Sequence, residues 1–328
     1  MNAEARQAGQ EAPKPRAGFV AIIGRPNAGK STLLNRLVGQ KIAIVTHRPQ
    51  TTRNRVQGIV TEGRGQVVFV DTPGVHEPES ALGRQMMHEV AAALEGIDIL
   101  LLIIDATHVS PNPDHWLIEK AKRFEGKTIL ALNKLDLVPK PKLLPLIDRF
   151  QKEFGTAVIV PISALKGTGT RAILDEIFQR LPASEPFFPE DQVTDQPERF
   201  LAAEIIREKA IKTMYHELPY ALAVFIEKFQ ETPKLVRIEA TLNVERNSQK
   251  KILIGSKGAM LKKIGTEARK ELESILDSKV FLGLYVKVAA DWRNDPHRVR
   301  ELDWHFQLEG LTNTQSAQSA AELNEPED

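Results

Sequence analysis

The chain contains no cysteine. Disulfides and thiolate-held zinc are therefore excluded, and the composition suits a reducing compartment. No run of about 18 apolar residues exists that would cross a bilayer. The opening stretch, MNAEARQAGQEAPKPR, lacks the apolar centre of a secretory signal and reads as a disordered arm over residues 1–16. Together these absences lead to an expectation of a soluble, cytoplasmic protein. Net charge is nearly absent too, at +1, but it is unevenly spread. Residues 1–198 carry 24 basic and 23 acidic side chains, and residues 199–300 carry 20 and 13. Residues 301–328 carry 7 acidic groups and no Lys or Arg. The middle block is the natural polyanion-facing part, and the tail is its electrostatic opposite.

At 328 residues the chain is long enough for two domains. The first half alternates short β-type runs with helical patterns, as an α/β fold requires. Strands are expected at 19–24, 56–62, 66–71, 99–105, 128–133 and 157–162, and helices at 30–38, 83–95, 114–124, 141–154 and 169–181. Several strands are unbroken apolar runs, which suits a sheet covered by helices on both faces. The pair VQGIVTE and QVVFVD looks like a hairpin, so the sheet should be mixed but mostly parallel. After Leu181, PASEPFFPEDQVTDQPE holds four prolines and five acids in seventeen residues, which is linker composition. A second, smaller α+β domain follows, with three strands and three helices. The resulting division is 17–183, a linker at 184–198, 199–304, and an acidic tail at 305–328 expected to be disordered.

The run Gly24-Arg25-Pro26-Asn27-Ala28-Gly29-Lys30-Ser31, followed by Thr32, fits G-x-x-x-x-G-K-[ST]. It follows an apolar strand and opens a helix, the context that makes the pattern meaningful. Its glycines let successive backbone N–H groups face inward as an anion nest, and the helix dipole adds positive potential. Lys30 is expected on the β and γ phosphates and Ser31 on Mg2+. Asp71-Thr72-Pro73-Gly74 ends a later strand, placing a carboxylate near the metal, through a water, and the Gly74 N–H near the γ-phosphate. Asn133-Lys134-Leu135-Asp136 ends another. Asp136 can accept from guanine N1–H and N2–H2, Asn133 can contact the purine's other edge, and Lys134 can lie along the ring. Adenine would leave Asp136 buried and unpaired, a mismatch that costs a factor of about 10⁴ or more. Ser163-Ala164-Leu165 can bring a backbone N–H to the guanine oxygen. The nucleotide should be guanine.

With these elements the first 183 residues resemble the G domain of translation-factor-class P-loop GTPases. That resemblance implies a mobile segment with a metal-binding threonine, here within KIAIVTHRPQTTRNRV. A threonine directly before an arginine holds the metal in related bacterial GTPases, which selects Thr52 over Thr51; the alternative is that both are solvated loop residues. Val75 stands where many GTPases carry a water-orienting glutamine, and valine can neither donate nor accept a hydrogen bond. In a family of bacterial GTPases that lack this glutamine, an asparagine at the position of Asn27 helps hold K+ beside the α and γ phosphates; the plainer reading is a hydrogen bond within the loop. The resemblance thus casts Lys30, Asn27, Thr52 and Gly74 as the catalytic groups, with slow intrinsic turnover. His47 and His88 read as solvated, and His76 receives no role.

In the second domain, Gly255-Ser256-Lys257-Gly258 lies between two helical patterns, the G-x-x-G loop of a KH domain. Terminal glycines let the backbone approach phosphates, and the following helix starts with its positive end there. Residues 245–270 contain eight Lys or Arg and two acids. The expected RNA contacts are Arg246, Lys250, Lys251, Gly255, Ser256, Lys257, Gly258, Lys262 and Lys263. A helix–turn–helix is the competing reading, but strands before and after these helices point to a type II KH domain. Such domains clamp about four single-stranded nucleotides, so RNA is favoured and DNA is not expected.

The combination closely resembles the Era family of bacterial ribosome-assembly GTPases over roughly residues 17–304. The motifs that carry it are GRPNAGKST, QTTRNR, DTPGVHEP, NKLD, SALKGTG, ERNSQKKILIGSKG and the DWR at Asp291 to Arg293. The resemblance implies binding near the 3′ end of 16S rRNA during 30S subunit maturation, GTP-controlled binding and release, and peripheral association with the membrane. A scaffold that binds GTP without useful hydrolysis is the alternative that Val75 keeps open. A tRNA-modifying GTPase would need a chemistry-bearing domain, for which no second catalytic motif exists.

Overall fold

The computed structural model describes residues 14–75, 77–108, 115–124, 126–155, 157–214 and 221–303. Six strands form the first sheet: β1 (Arg16–Gly24), β2 (Val56–Glu62), β3 (Gly65–Asp71), β4 (Ile99–Asp105), β5 (Thr128–Asn133) and β6 (Val158–Pro161). Their spatial order is β2-β3-β1-β4-β5-β6. Only β2 runs against its neighbour, as the short β2–β3 connection demands; the other pairs are parallel. Successive residues of β1 enter opposite cores. Val20 and Ile22 pack with α1 (Lys30–Val38) and α5 (Thr170–Arg180). Ala21 and Ile23 pack with α2 (Ala81–Ala92), α3 (His115–Arg123) and α4 (Lys140–Phe154). Burial on both faces is why these strands read as continuous apolar runs. The strand order reverses at β1, so the loop after Gly24 opens at the switch point where α/β folds bind ligands.

β1 begins three residues earlier than its apolar run, because Arg16 pairs with Gly65 of β3 and bridges to Ala183. The proline-rich, acidic stretch after Leu181 is attached to the sheet. The Gln66 side chain accepts from the Phe187 and Phe188 N–H groups and donates to the Phe188 carbonyl. Further on, Ile59 N donates to Val193 O, Thr194 Oγ1 donates to Gln57 O, and Phe187 stacks on Phe19. The expected arm over residues 1–16 lies outside the described residues up to residue 13, and the expected acidic tail lies wholly outside them.

The second domain runs α6 (Glu198–Thr213), β7 (Ala223–Thr232), β8 (Leu235–Val244), α7 (Asn247–Ile254), α8 (Ala259–Ile275) and β9 (Val280–Val288), then the short α9 (Pro296–Arg300). Its sheet order is β7-β8-β9, antiparallel then parallel, which is the type II KH arrangement. One face of this sheet and the inner faces of α6 and α8 close a separate apolar core. A fourth apolar cluster joins the domains: Ala81, Leu82 and Met86 of α2 pack with Ala223, Trp292 and Val299. Trp292 is 2% exposed, and its indole N–H donates to Ala221 O at 2.8 Å. Among the described residues no helix is long and apolar enough to cross a membrane.

Candidate functional site

The loop between β1 and α1 places the first group of predicted residues. Gly29, at φ 103°, precedes α1, and a Cβ there would stand 2.3 Å from Asn133 Nδ2. Lys30 is buried, and its ammonium donates to Gly24 O and Arg25 O, each at 3.1 Å. Burial lowers its pKa to about 8, against the opposing pull of Asp71. Gly74 packs directly on Pro26 of the loop, and Val75 N donates to Gly24 O at 3.2 Å. Thr72 Oγ1 donates to Ile22 O, so this hydroxyl ties β3 to β1.

Three predicted metal-binding residues from three separate segments meet beside Lys30. Ser31 Oγ stands 2.9 Å from Thr52 Oγ1 and donates to Asp71 Oδ2 at 2.7 Å. The other carboxylate oxygen, Asp71 Oδ1, is buried without a hydrogen-bond partner. Burial raises the Asp71 pKa to about 6, with the Lys30 charge and the Ser31 hydroxyl opposing the rise. A buried, unpartnered carboxylate oxygen beside two hydroxyls is a donor set suited to a hard, oxygen-preferring cation such as Mg2+. Among the described residues no group of three His, Cys, Asp or Glu side chains could hold a metal ion. Thr51 faces elsewhere: its hydroxyl stands 2.7 Å from Thr46 Oγ1 and donates to Arg48 O.

At the base end, Asn133 is buried and has internal partners. Its amide donates to Ala28 O at 2.7 Å and accepts from Ala164 N at 2.9 Å. The residue therefore joins the phosphate loop to the Ser163–Leu165 loop, a role its sequence motif does not announce. Asp136 accepts from Ser163 Oγ at 2.6 Å, which fixes the carboxylate's direction. It is exposed rather than buried, so the penalty against adenine arises only once a base covers it. Lys134 sits at φ 69° and donates to Asp105 Oδ2 at 2.5 Å. Burial alone would raise the Asp105 pKa, but bonds from Lys134 and Thr107 hold it below the ordinary value. Asp105 escaped sequence reasoning because it ends its strand without a motif. A cavity of about 480 Å³ runs from Arg25 and Asn27 to Asp105 and Lys134.

Asn27, at φ 60°, donates through its amide to His47 O at 3.0 Å, bridging the phosphate loop to the segment that carries Thr52. That leaves the amide oxygen as its ligand-type atom. Val75 packs into the apolar cluster that holds Ala21 and Val90. His47 and His88 are exposed, and His76 lies outside the described residues.

In the second domain, Gly255 (φ 73°) needs to be glycine, since a Cβ would stand 2.7 Å from Met260 Cβ and 2.9 Å from its N. Lys257 also has positive φ and is exposed at the tip. Beside the loop, a groove of about 660 Å³ runs between α8 and β9, lined by Gly258, Lys262, Gly265, Arg269, Phe281 and Leu284 among others. Lys262 is the predicted lysine that lines it. Lys263 projects one position round the helix, and Arg246, Lys250 and Lys251 sit on or before α7, outside the lining. Two other lining residues carry no sequence motif: Arg269, two turns beyond Lys262 on α8, and Phe281 of β9.

A family model described as a 50S ribosome-binding GTPase matches residues 19–134, and a KH domain model matches residues 217–293. GTPase Era of Syntrophus aciditrophicus is 47% identical over 292 residues, covering 88% of this chain and 95% of that protein. GTPase Era of Pseudomonas fluorescens is 46% identical over 291 residues, with 88% and 97% covered. Two solved structures are 42% identical with a TM-score of 0.84, each covering 87% of this chain and 98% of its own. One is a variant of Aquifex aeolicus Era bound to GDP and AlF4−, and the other is Era with MgGDPNP and nucleotides 1506–1542 of 16S ribosomal RNA. With a GTPase domain and a KH domain in this order, and this similarity along most of its length, the chain belongs to the Era family of GTPases.

Proposed function

We propose that the chain is a Mg2+-dependent, guanine-specific GTPase that binds single-stranded RNA near the 3′ end of 16S rRNA and acts in 30S subunit assembly. GTP favours one arrangement of the two domains and hydrolysis releases the RNA. The observation that carries the enzymatic part is the meeting of Ser31, Thr52 and Asp71 around an unpartnered carboxylate oxygen. The RNA part is supported by the groove between α8 and β9, and by the 16S rRNA fragment carried by the related Era complex.

Ser31 and Thr52 would hold Mg2+ through their hydroxyls and Asp71 through a water. When bound, the ion neutralises charge on the β and γ phosphates. Lys30 reaches the same phosphates, and the Gly74 N–H meets the γ-phosphate. Asp136 reads the guanine N1–H and N2–H2 edge, Lys134 covers one face of the ring, and the Ala164–Leu165 turn faces the guanine oxygen. Val75 orients no water, so intrinsic turnover is slow. The Asn27 oxygen, beside the carbonyl-bearing His47 segment, suits a K+ ion that offsets charge on the leaving group. The direct test is GTP turnover by the full chain with and without a 16S 3′-end RNA. Guanine-specific, Mg2+-dependent turnover with RNA binding is expected; GTP binding without turnover in either condition would leave a scaffold.

A further inference from the structure

The segment that carries Thr52 has no helix or strand between Gly39 and Arg55. Ordering such a stretch is costly in conformational entropy, so something must hold it. One side is held by the Ser31 contact. The other side is held by the KH domain. Arg207 of α6 donates to the carbonyl of Thr51, the residue directly before Thr52. The adjacent Glu208 accepts from Val45 N at 2.9 Å and from Lys41 Nζ at 2.5 Å. Arg53 then donates to Leu222 O at 2.7 Å.

These holding groups are deeply buried. Arg207 is 2% exposed and Glu208 is 0% exposed. Glu204 fixes the Arg207 guanidinium with two hydrogen bonds, so its aim at Thr51 does not depend on the segment. Removing the segment would strip Glu208 of a backbone donor and of Lys41, leaving only Lys212 at 3.1 Å and Lys209 at 3.6 Å on its own helix. Lys41 also reaches Glu271 of α8, the helix that starts at the Gly258 end of the RNA loop. One rigid helix thus has the RNA loop at one end and an ion pair to the Thr52 segment near the other.

We infer that the KH domain is a working part of the GTPase site: Arg207 and Glu208 are positioning residues that hold the segment so that Thr52 stays on the Ser31–Asp71 cluster. Neither touches the nucleotide; both act through Thr52. This assignment rests on the GTPase reading given above. It predicts that the metal-dependent, triphosphate-specific part of the site weakens when the clamp is cut, while guanine recognition by Asp136 is untouched.

The test uses the full chain with Arg207→Ala, Glu208→Gln, Glu208→Ala and Lys41→Met. The last cuts the same pair from the partly exposed end, without disturbing the α6 core. Three quantities are measured: kcat for GTP, the Mg2+ concentration giving half-maximal turnover, and affinity for GDP. Expected are a fall in kcat of about ten-fold, the effect of losing one hydrogen bond to a charged group, a raised Mg2+ requirement, and unchanged GDP affinity. Glu208→Gln should lose less than Glu208→Ala, because the amide still accepts from Val45 N. Folded variants with wild-type kcat and Mg2+ dependence would overturn the inference, as would GDP affinity falling in step with kcat. A wild-type chain that does not turn over GTP would instead overturn the GTPase reading.

Discussion

The Ser31 and Thr52 hydroxyls stand 2.9 Å apart across twenty-one residues of sequence, while the neighbouring Thr51 hydroxyl is turned into its own loop. Thr52→Ala should therefore lower kcat on the order of 10²-fold, the usual effect of removing one preorganised charge-stabilising group. Thr51→Ala should cost much less, since it removes a brace within the loop. Single-turnover GTP hydrolysis at saturating Mg2+ separates the two, and equal losses would refute the assignment.

Asn27 joins the phosphate loop to His47 through its amide nitrogen. If its oxygen serves a K+ ion, turnover is faster in K+ than in Na+ at equal ionic strength, and Asn27→Ala removes the difference. Equal rates in both salts for the wild-type chain would eliminate K+ from the mechanism.

Asp136 is fixed by Ser163 Oγ, and we propose that its other carboxylate oxygen receives the base. Asp136→Asn replaces an acceptor with a donor, so GTP affinity should fall by about 10²-fold or more. Xanthine, which has a carbonyl where guanine has its amino group, should bind the variant better than the wild type. Competition between GTP and XTP for the variant measures this directly.

Lys262 lines the groove between α8 and β9, and Lys263 does not. Lys262→Gln should reduce the slope of log affinity against log salt for single-stranded RNA by about 0.7, the value for one neutralised phosphate. Lys263→Gln should change that slope less. RNA titrations at several salt concentrations read both.

Protonation should loosen the contact between domains. Burial alone would raise the pKa values of Glu208 and Glu271, but Lys41 at both, with the Val45 N–H and Lys212 at Glu208 and Lys209 at Glu271, holds them below the ordinary 4.5. A group with a depressed native pKa adds stability above its unfolded value and loses it as pH falls through the native one. The domain contact should thus be at full strength above about pH 5 and weaken progressively below 4.5. Energy transfer between labels on the two domains would follow it, and Glu208→Gln with Glu271→Gln should remove this part of the pH response.

Much of this was legible in the sequence because it is local. Apolar runs covered on both faces located the strands, and a glycine-rich turn before a helix located the phosphate loop. Gly255 and Gly258 likewise marked the turn between α7 and α8. What escaped notice depends on distance. Asn133 carries a motif that suggests the base, but the neighbours that engage its amide, Ala28 and Ala164, lie 105 and 31 residues away. Arg207 and Glu208 carry no motif, and only the folded chain brings Thr51 and Val45 over them. The linker's composition pointed to a loose tether, yet Gln66 holds it through three hydrogen bonds to Phe187 and Phe188.

That attachment changes what kind of motion the two domains can make. The connecting chain is held on the sheet edge as far as Thr194, and α6 begins at Glu198. Residues 195–197 join that hold to α6, and even here Gln196 N donates to Thr194 Oγ1 at 3.2 Å. A connection this short forbids translation of α6 away from the sheet and leaves rotation about a nearly fixed point. When the contacts to Thr51 and Val45 open, the start of α6 stays tied to the edge of the GTPase sheet. Re-engagement is then a unimolecular step at very high effective concentration, so the clamp can be individually weak and still close quickly.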